Sequence, residues 1–228
     1  MSENNPILQV KDLTVSFNAF AGKVQAVRGV SFDLNKGETL CIVGESGSGK
    51  SVTNKAIMGI LSKNAVIDRG EILYDGMDLT KLTEEQFCQI RGKRIAMVFQ
   101  DPLSALNPIM KVGKQITETL CVHQKLSHEQ AKKRALELMA AVGIPEPEKR
   151  FNQYPFQFSG GMRQRIVIVI ALACNPEILI CDEPTTALDV TIQSKILDLI
   201  KEIKQERNLS VIFITHNMGV VANMADRI

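Results

Sequence analysis

The sequence predicts an α/β fold: a parallel sheet with helices on both faces, preceded by antiparallel strands and interrupted by a helical insertion. Three observations predict it. Apolar and polar residues alternate through residues 7–10 and 24–32, the period of half-buried antiparallel strands. Thr39–Val43 is a short apolar run bounded by glycines, which is how a strand buried on both faces reads. Beyond residue 158, strand and helix patterns alternate, which implies a parallel sheet covered on both sides.

The elements follow in order. A Gly-rich loop after the run at 39–43 leads into a helical pattern over residues 50–61. Residues 70–74, closed by Asp75 and Gly76, read as a strand and tight turn, and residues 94–99 as a further strand. From 101 to 158 prolines punctuate the chain (Pro102, Pro108, Pro145, Pro147, Pro155). The spacing there predicts a helix over 127–142, with Ser127 and Gln130 as a capping box and Gly143 as its stop. We read 101–158 as a helical subdomain inserted in one domain spanning 1–228. After it come a helix from Ser159, a strand at 178–181, a helix over Val190–Arg207 and a strand at Ser210–Thr215. In the Val190–Arg207 helix Ile192, Ile196, Leu199, Ile200 and Ile203 fall on one face.

Composition narrows the function classes. The 228 residues suffice for one large α/β domain. A net charge of +2 is too weak to argue for nucleic acid or for an anionic membrane surface as the partner. The five cysteines contain no CxxC pair. Cys41 and Cys181 sit in apolar runs and read as small buried residues of a reducing compartment rather than metal ligands. The first ten residues lack the basic and apolar regions of a signal peptide. The most apolar run, 166–174, is shorter than the roughly 20 residues a membrane span needs, so membrane attachment is expected to come from another chain.

Two motifs carry the chemistry. Gly44, Glu45, Ser46, Gly47, Ser48, Gly49, Lys50 and Ser51 fit G-x-x-x-x-G-K-[ST]. The glycines let the backbone curl so that successive N–H groups point at phosphate oxygens. Lys50 adds a charge for the β- and γ-phosphates, the Ser51 hydroxyl can bind Mg²⁺, and the following helix aims its positive end at the anion. The pattern arises by chance in about one chain in a hundred of this size. The second motif is the apolar strand ending in Asp182 and Glu183, which places both acids at the carboxyl edge of a parallel sheet. Asp182 would hold Mg²⁺, and Glu183 would take a proton from, or orient, the attacking water. Together the two motifs read as a P-loop NTPase that binds and hydrolyses ATP.

A third element narrows this further. Phe158, Ser159, Gly160, Gly161, Met162, Arg163, Gln164 and Arg165 open a helix, with Ser159 as its N-cap. Here the chain resembles the ATP-binding-cassette family, whose signature is LSGGQ followed by a helix. The resemblance implies that Ser159, Gly160, Gly161 and Met162 face the γ-phosphate held by a second subunit. It also implies a role at the Mg²⁺ site for Gln100, a D-loop at Ala187, Leu188 and Asp189 that crosses between subunits, and a γ-phosphate contact for His216. Phe17 is placed like the family's adenine-stacking aromatic, although core packing accounts for it equally well and Phe20 competes for the role.

The wording of residues 100–108, 159–165 and 182–193 resembles the oligopeptide and dipeptide importers, a branch that includes nickel and glutathione systems. Residues 44–53 resemble the first of the two ATPases these importers pair. The resemblance implies a non-identical partner ATPase, two transmembrane permease subunits, an extracytoplasmic binding protein and a place on the cytoplasmic face of the membrane. Met162 replaces the signature glutamine, as is usual in this branch, and Phe156 stands where relatives commonly carry histidine. Relatives continue beyond the point matching Ile228, so the sequence reads as lacking their C-terminal region. Cassettes acting on nucleic acid usually carry a long coiled coil or zinc modules between the two glycine motifs, where this chain has a short helical insert. Lys50, Asp182, Glu183 and His216 leave no catalytic position degenerate, against a merely regulatory ATP binder, and no NKxD motif points to GTP.

Overall fold

A computed structural model describes residues 6–20, 22–101, 105–185 and 190–228. The chain first builds an antiparallel sheet. Strands β1 (Leu8–Ala19), β2 (Gly22–Leu34), β4 (Ala65–Tyr74) and β5 (Met77–Asp78) lie in the order β2-β1-β4-β5. Tyr74 pairs with Met77 across a two-residue turn in which Asp75 and Gly76 hold φ of 47° and 78°. Such primed turns match the right-handed twist of the strands.

The second sheet is parallel throughout. Strands β3 (Thr39–Val43), β6 (Ile95–Val98), β7 (Ile178–Asp182) and β8 (Ser210–Thr215) run in the order β3-β8-β7-β6. Successive residues of β7 feed opposite faces, as strand periodicity requires. Ile178 and Ile180 join a core with the antiparallel sheet and helix α1 (Lys50–Ile57). Leu179 and Cys181 join a core on the other face with helices α6 (Gly160–Leu172), α7 (Val190–Arg207) and α8 (Met218–Met224). The sheet is therefore covered on both sides. Cys41 and Cys181 are buried within it, where desolvation raises both thiols, Cys41 to about 11.

Between β6 and β7 the chain forms α3 (Val112–Gln124), α4 (His128–Ala141) and α5 (Pro147–Phe151). Helix α4 ends as its sequence dictates. Ser127 and Gln130 form the capping box, and Gly143 takes φ of 70° just past the C-cap.

Two boundaries and one element differ from expectation. The helix expected over 50–61 stops at Ile57, because Gly59 turns left-handed (φ 61°). There the Arg91 guanidinium takes the last carbonyls, donating to Met58 O (2.7 Å) and Gly59 O (2.8 Å). The strand expected from Gly70 begins at Ala65, since pairing with β1 extends to Phe17↔Ala65. Helix α2 (Glu84–Ile90) was not expected, although Thr83 and Gln86 form a capping box legible in the sequence.

Candidate functional site

Parallel pairing aligns the carboxyl ends of the strands. Val43 is opposite Thr215, Ile214 opposite Asp182, and Cys181 opposite Val98. The residues that follow, Gly44, His216, Glu183 and Gln100, thus emerge in one row along a single sheet edge, the position where α/β sheets bind ligands.

The loop after β3 is shaped by its glycines. Gly47 and Gly49 have φ of 83° and 93°, in the region L side chains avoid. A Cβ on Gly49 would also lie 2.5 Å from the carbonyl oxygen of Ala26. Space around Gly47 is open, so there the requirement is conformational alone. Lys50 opens α1 and folds back over the loop, its Nζ donating to Gly44 O (2.6 Å), Glu45 O (2.7 Å) and Ser48 Oγ (3.2 Å). The amine therefore sits among the backbone groups that a phosphate chain would occupy. A ring of curled backbone with one cation and a helix N-terminus can hold an anion.

Next to the loop, Ser51 Oγ donates to Asp182 Oδ1 at 3.1 Å. Both line a 540 Å³ cleft with Lys55, Phe99, Gln100, Asp101 and Ala105. The donors are hydroxyl, carboxylate and amide oxygens, the hard set that suits Mg²⁺. Among the described residues no three His, Cys, Asp or Glu side chains converge. A cation here would draw on the Ser51–Asp182 pair, water and phosphate oxygens, as Mg²⁺ commonly does. Asp182 is buried, and desolvation raises its pKa against the Ser51 hydrogen bond, with the charge of Glu183 adding to the rise.

That shift has a consequence for stability. Asp182 binds its proton more tightly in the folded state, so the stability it contributes is complete below its unfolded pKa. It is lost as pH rises through the folded value. Asp182→Asn, which keeps the acceptor for Ser51, is expected to stabilise the magnesium-free protein near pH 7. The gain should vanish as pH falls into the ordinary carboxylate range. Melting curves of both proteins with EDTA across pH check this, and equal melting temperatures at pH 7 would refute it.

Glu183 occupies unusual backbone. Its φ is 47°, left-handed for a residue with a Cβ, while its N–H donates to Ile214 O at 3.0 Å and extends the β7–β8 ladder. Such conformations cost about 1–3 kcal/mol and cluster at functional sites. Here it turns the carboxylate along the edge, where both oxygens are engaged. Gln100 Nε2 donates to Oε2 at 3.2 Å, and His216 Nδ1 lies 3.2 Å from Oε1. A half-buried carboxylate held at both oxygens beside a phosphate site can accept a proton from water.

Other expected residues lie elsewhere. Ser159 caps α6 by accepting from Met162 N (3.4 Å), and the exposed Ser159 and Gly160 leave that helix start open to solvent. Gly161 is buried, and a Cβ there would lie 2.5 Å from Ile192 Cγ2 of α7. None of Ser159, Gly160, Gly161 and Met162 lines the cleft. Phe17 is half-buried and pairs with Val24 and Ala65, whereas Phe20 is fully exposed. Asp189, with Ala187 and Leu188, lies outside the described residues. Sequence reasoning passed over Lys55, which lines the cleft and whose charge partly offsets the rise at Asp182. Its position four residues after Ser51 on one helix would have found it.

Comparison with known proteins gives the family of the chain. A family model described as ABC transporter matches residues 27–186. The chain is 61% identical over 223 residues to the oligopeptide transport ATP-binding protein OppD of Bacillus subtilis, covering 97% of this chain and 62% of that protein. It is 57% identical to the dipeptide transport ATP-binding protein DppD of Lactococcus lactis, covering 97% and 64%. The chain thus spans less than two thirds of the length of these two relatives. Among solved structures, a dimeric ATP-binding cassette in a post-hydrolysis state, bound to ADP and Pi, superposes with a TM-score of 0.84 at 30% identity. That match covers 95% of this chain and 91% of the other.

Proposed function

The chain belongs to the ABC transporter family, and from that premise we propose that it is the ATP-hydrolysing subunit of an importer of oligopeptides or dipeptides. The observation that carries the chemistry is the row at the sheet edge, with Lys50 on the glycine loop, the Ser51–Asp182 pair, and Glu183 between Gln100 and His216. The cargo class rests on relatives named as oligopeptide and dipeptide transport ATP-binding proteins.

In this reading residues 44–50 cradle the phosphates through backbone N–H groups, and Lys50 turns from its carbonyl partners to the β- and γ-phosphates. Ser51 and Asp182 hold Mg²⁺, with Gln100 at the same cleft. Bound Mg²⁺ neutralises charge on the phosphate oxygens. Glu183 takes a proton from the attacking water, and His216 orients Glu183 and reaches toward the γ-phosphate. Phe17 faces the adenine. Ser159, Gly160, Gly161, Met162 and Asp189 complete the site of a second subunit, a non-identical ATPase. The exposed start of α6 supports this, since a helix N-terminus binds anions without a basic side chain.

The helices between 112 and 151 are the arm that passes closure of the two ATPases to a pair of permease subunits. Those subunits hold the chain at the cytoplasmic face of the membrane and receive cargo from an extracytoplasmic binding protein. No helix of the described residues is long and apolar enough to cross a membrane.

Since each site draws on two chains, ATP turnover per molecule is expected to be low when dilute and to rise with protein concentration or on adding the partner ATPase. Turnover measured across a dilution series, with mass determined by light scattering, tests this. Full turnover from a proven monomer would overturn the two-chain site.

A further inference from the structure

A second cavity, of 640 Å³, lies at the opposite, amino end of the parallel strands, where the chain enters β3, β7 and β8. Its volume falls in the range of small-molecule sites. Lys36, Arg134 and Arg207 line it, together with Asp75 and Glu177. Glu177 is already answered, accepting from Tyr74 Oη at 2.9 Å and pairing with Arg94. Asp75, on the β4–β5 turn, is the remaining carboxylate on the lining.

The cations are less well answered. Lys36 and Arg207 form no ion pair among the described residues, and Arg134 has only Glu137 (3.2 Å), one turn along its own helix. Arg207 is half-buried, and its Nη1 donates to two neutral acceptors, Leu172 O (3.4 Å) and Asn175 Oδ1 (2.6 Å). Capping the end of α6 explains Nη1. It leaves Nε and Nη2, the edge that grips oxyanions in bidentate fashion, without an acceptor among the described residues. Burial lowers the pKa of Arg207 and the charge of Arg134 lowers it further, with the charge of Glu206 partly offsetting the fall, so two guanidiniums repel each other across this space.

We propose that this cavity binds a small phosphate-bearing anion, gripped by the free edges of Arg134 and Arg207 with Lys36 at the rim. The site is separate from the phosphate loop and uses none of its residues. Arginine forks match tetrahedral phosphate oxygens, and an anion there relieves the repulsion between them.

The test is calorimetric titration of inorganic pyrophosphate into protein saturated with ADP, so that the phosphate loop is filled. One further site is expected. Arg134→Gln, Arg207→Gln and Lys36→Gln should each weaken it, by roughly 10-fold or more for the arginines. Asp75→Asn should tighten it, a change that a purely structural role would not produce. ADP affinity should stay the same in all four variants. If Arg207→Gln does not fold, the exposed Lys36 and Asp75 substitutions carry the test. Absence of uptake by ADP-saturated protein, or uptake indifferent to these substitutions, would overturn the proposal. Equal binding of citrate at matched ionic strength would overturn the phosphate class. Failure of ADP itself to bind would count against the nucleotide reading instead.

Discussion

Glu183→Gln is expected to lower ATP turnover by about 10²–10⁴-fold, the usual worth of a positioned general base, while nucleotide affinity stays near that of the parent protein. The loss corresponds to roughly 3–5 kcal/mol of transition-state stabilisation. Glutamine has the same shape, so the turn at φ 47° and the backbone bond to Ile214 O persist. One carbonyl oxygen remains to accept from Gln100 Nε2 or to face His216, and the other position becomes an amide that cannot take a proton. The contacts of the phosphate loop run through Lys50 and backbone, and none of those given by Lys50 involves Glu183. Single-turnover hydrolysis and equilibrium nucleotide titration, run on the same preparation, separate the two quantities. Glu183→Asp should fall between, since it keeps the acid–base group but withdraws it by one methylene. Turnover of Glu183→Gln at the parent rate would remove Glu183 from the chemistry and leave it a positioning role only.

Sequence legibility followed how local each determinant is. The helix over His128–Ala141 was readable because its capping box and terminal glycine act within a few residues. The strands at Thr39–Val43 and Ser210–Thr215 were readable because burial on both faces leaves an apolar run. The early stop of α1 combines a local signal that was passed over, the left-handed Gly59, with one no window contains, Arg91 reaching back over thirty residues to Met58 and Gly59. The glycine-rich loop between β3 and α1 was likewise legible, being contiguous and bound to its flanking strand and helix. The Gln100–Glu183–His216 arrangement was legible only as three candidates. What joins them is the strand order β3-β8-β7-β6, a non-local pairing that no window of sequence contains. The left-handed turn at Glu183 was invisible, because glutamate is not among the residues (Gly, Asn, Asp and His) that signal such backbone in a sequence.

Lys50→Ala is expected to weaken ATP binding by about 10²-fold or more, because charge-assisted contacts contribute about 1.5–3 kcal/mol each and in the proposed reading the amine reaches two phosphates. The loss should not come through unfolding. Lys50 is the first residue of α1, where a cation opposes the helix dipole, so alanine relieves that repulsion and is the better helix former. What alanine removes is the amine bonded to Gly44 O, Glu45 O and Ser48 Oγ. Those three acceptors hold the charge over the curled backbone before any ligand arrives, so the parent exchanges one set of Lys50 bonds for another on binding. The effect should therefore depend on which phosphates the ligand carries. It should be largest for ATP, smaller for ADP and close to nil for AMP, whose single phosphate lies short of the amine. Titration of the three nucleotides against both proteins, with melting temperatures recorded alongside, distinguishes this from a collapsed loop, which would weaken all three alike. Equal affinity of the two proteins for ATP would mean that the backbone N–H groups and the start of α1 hold the phosphates unaided.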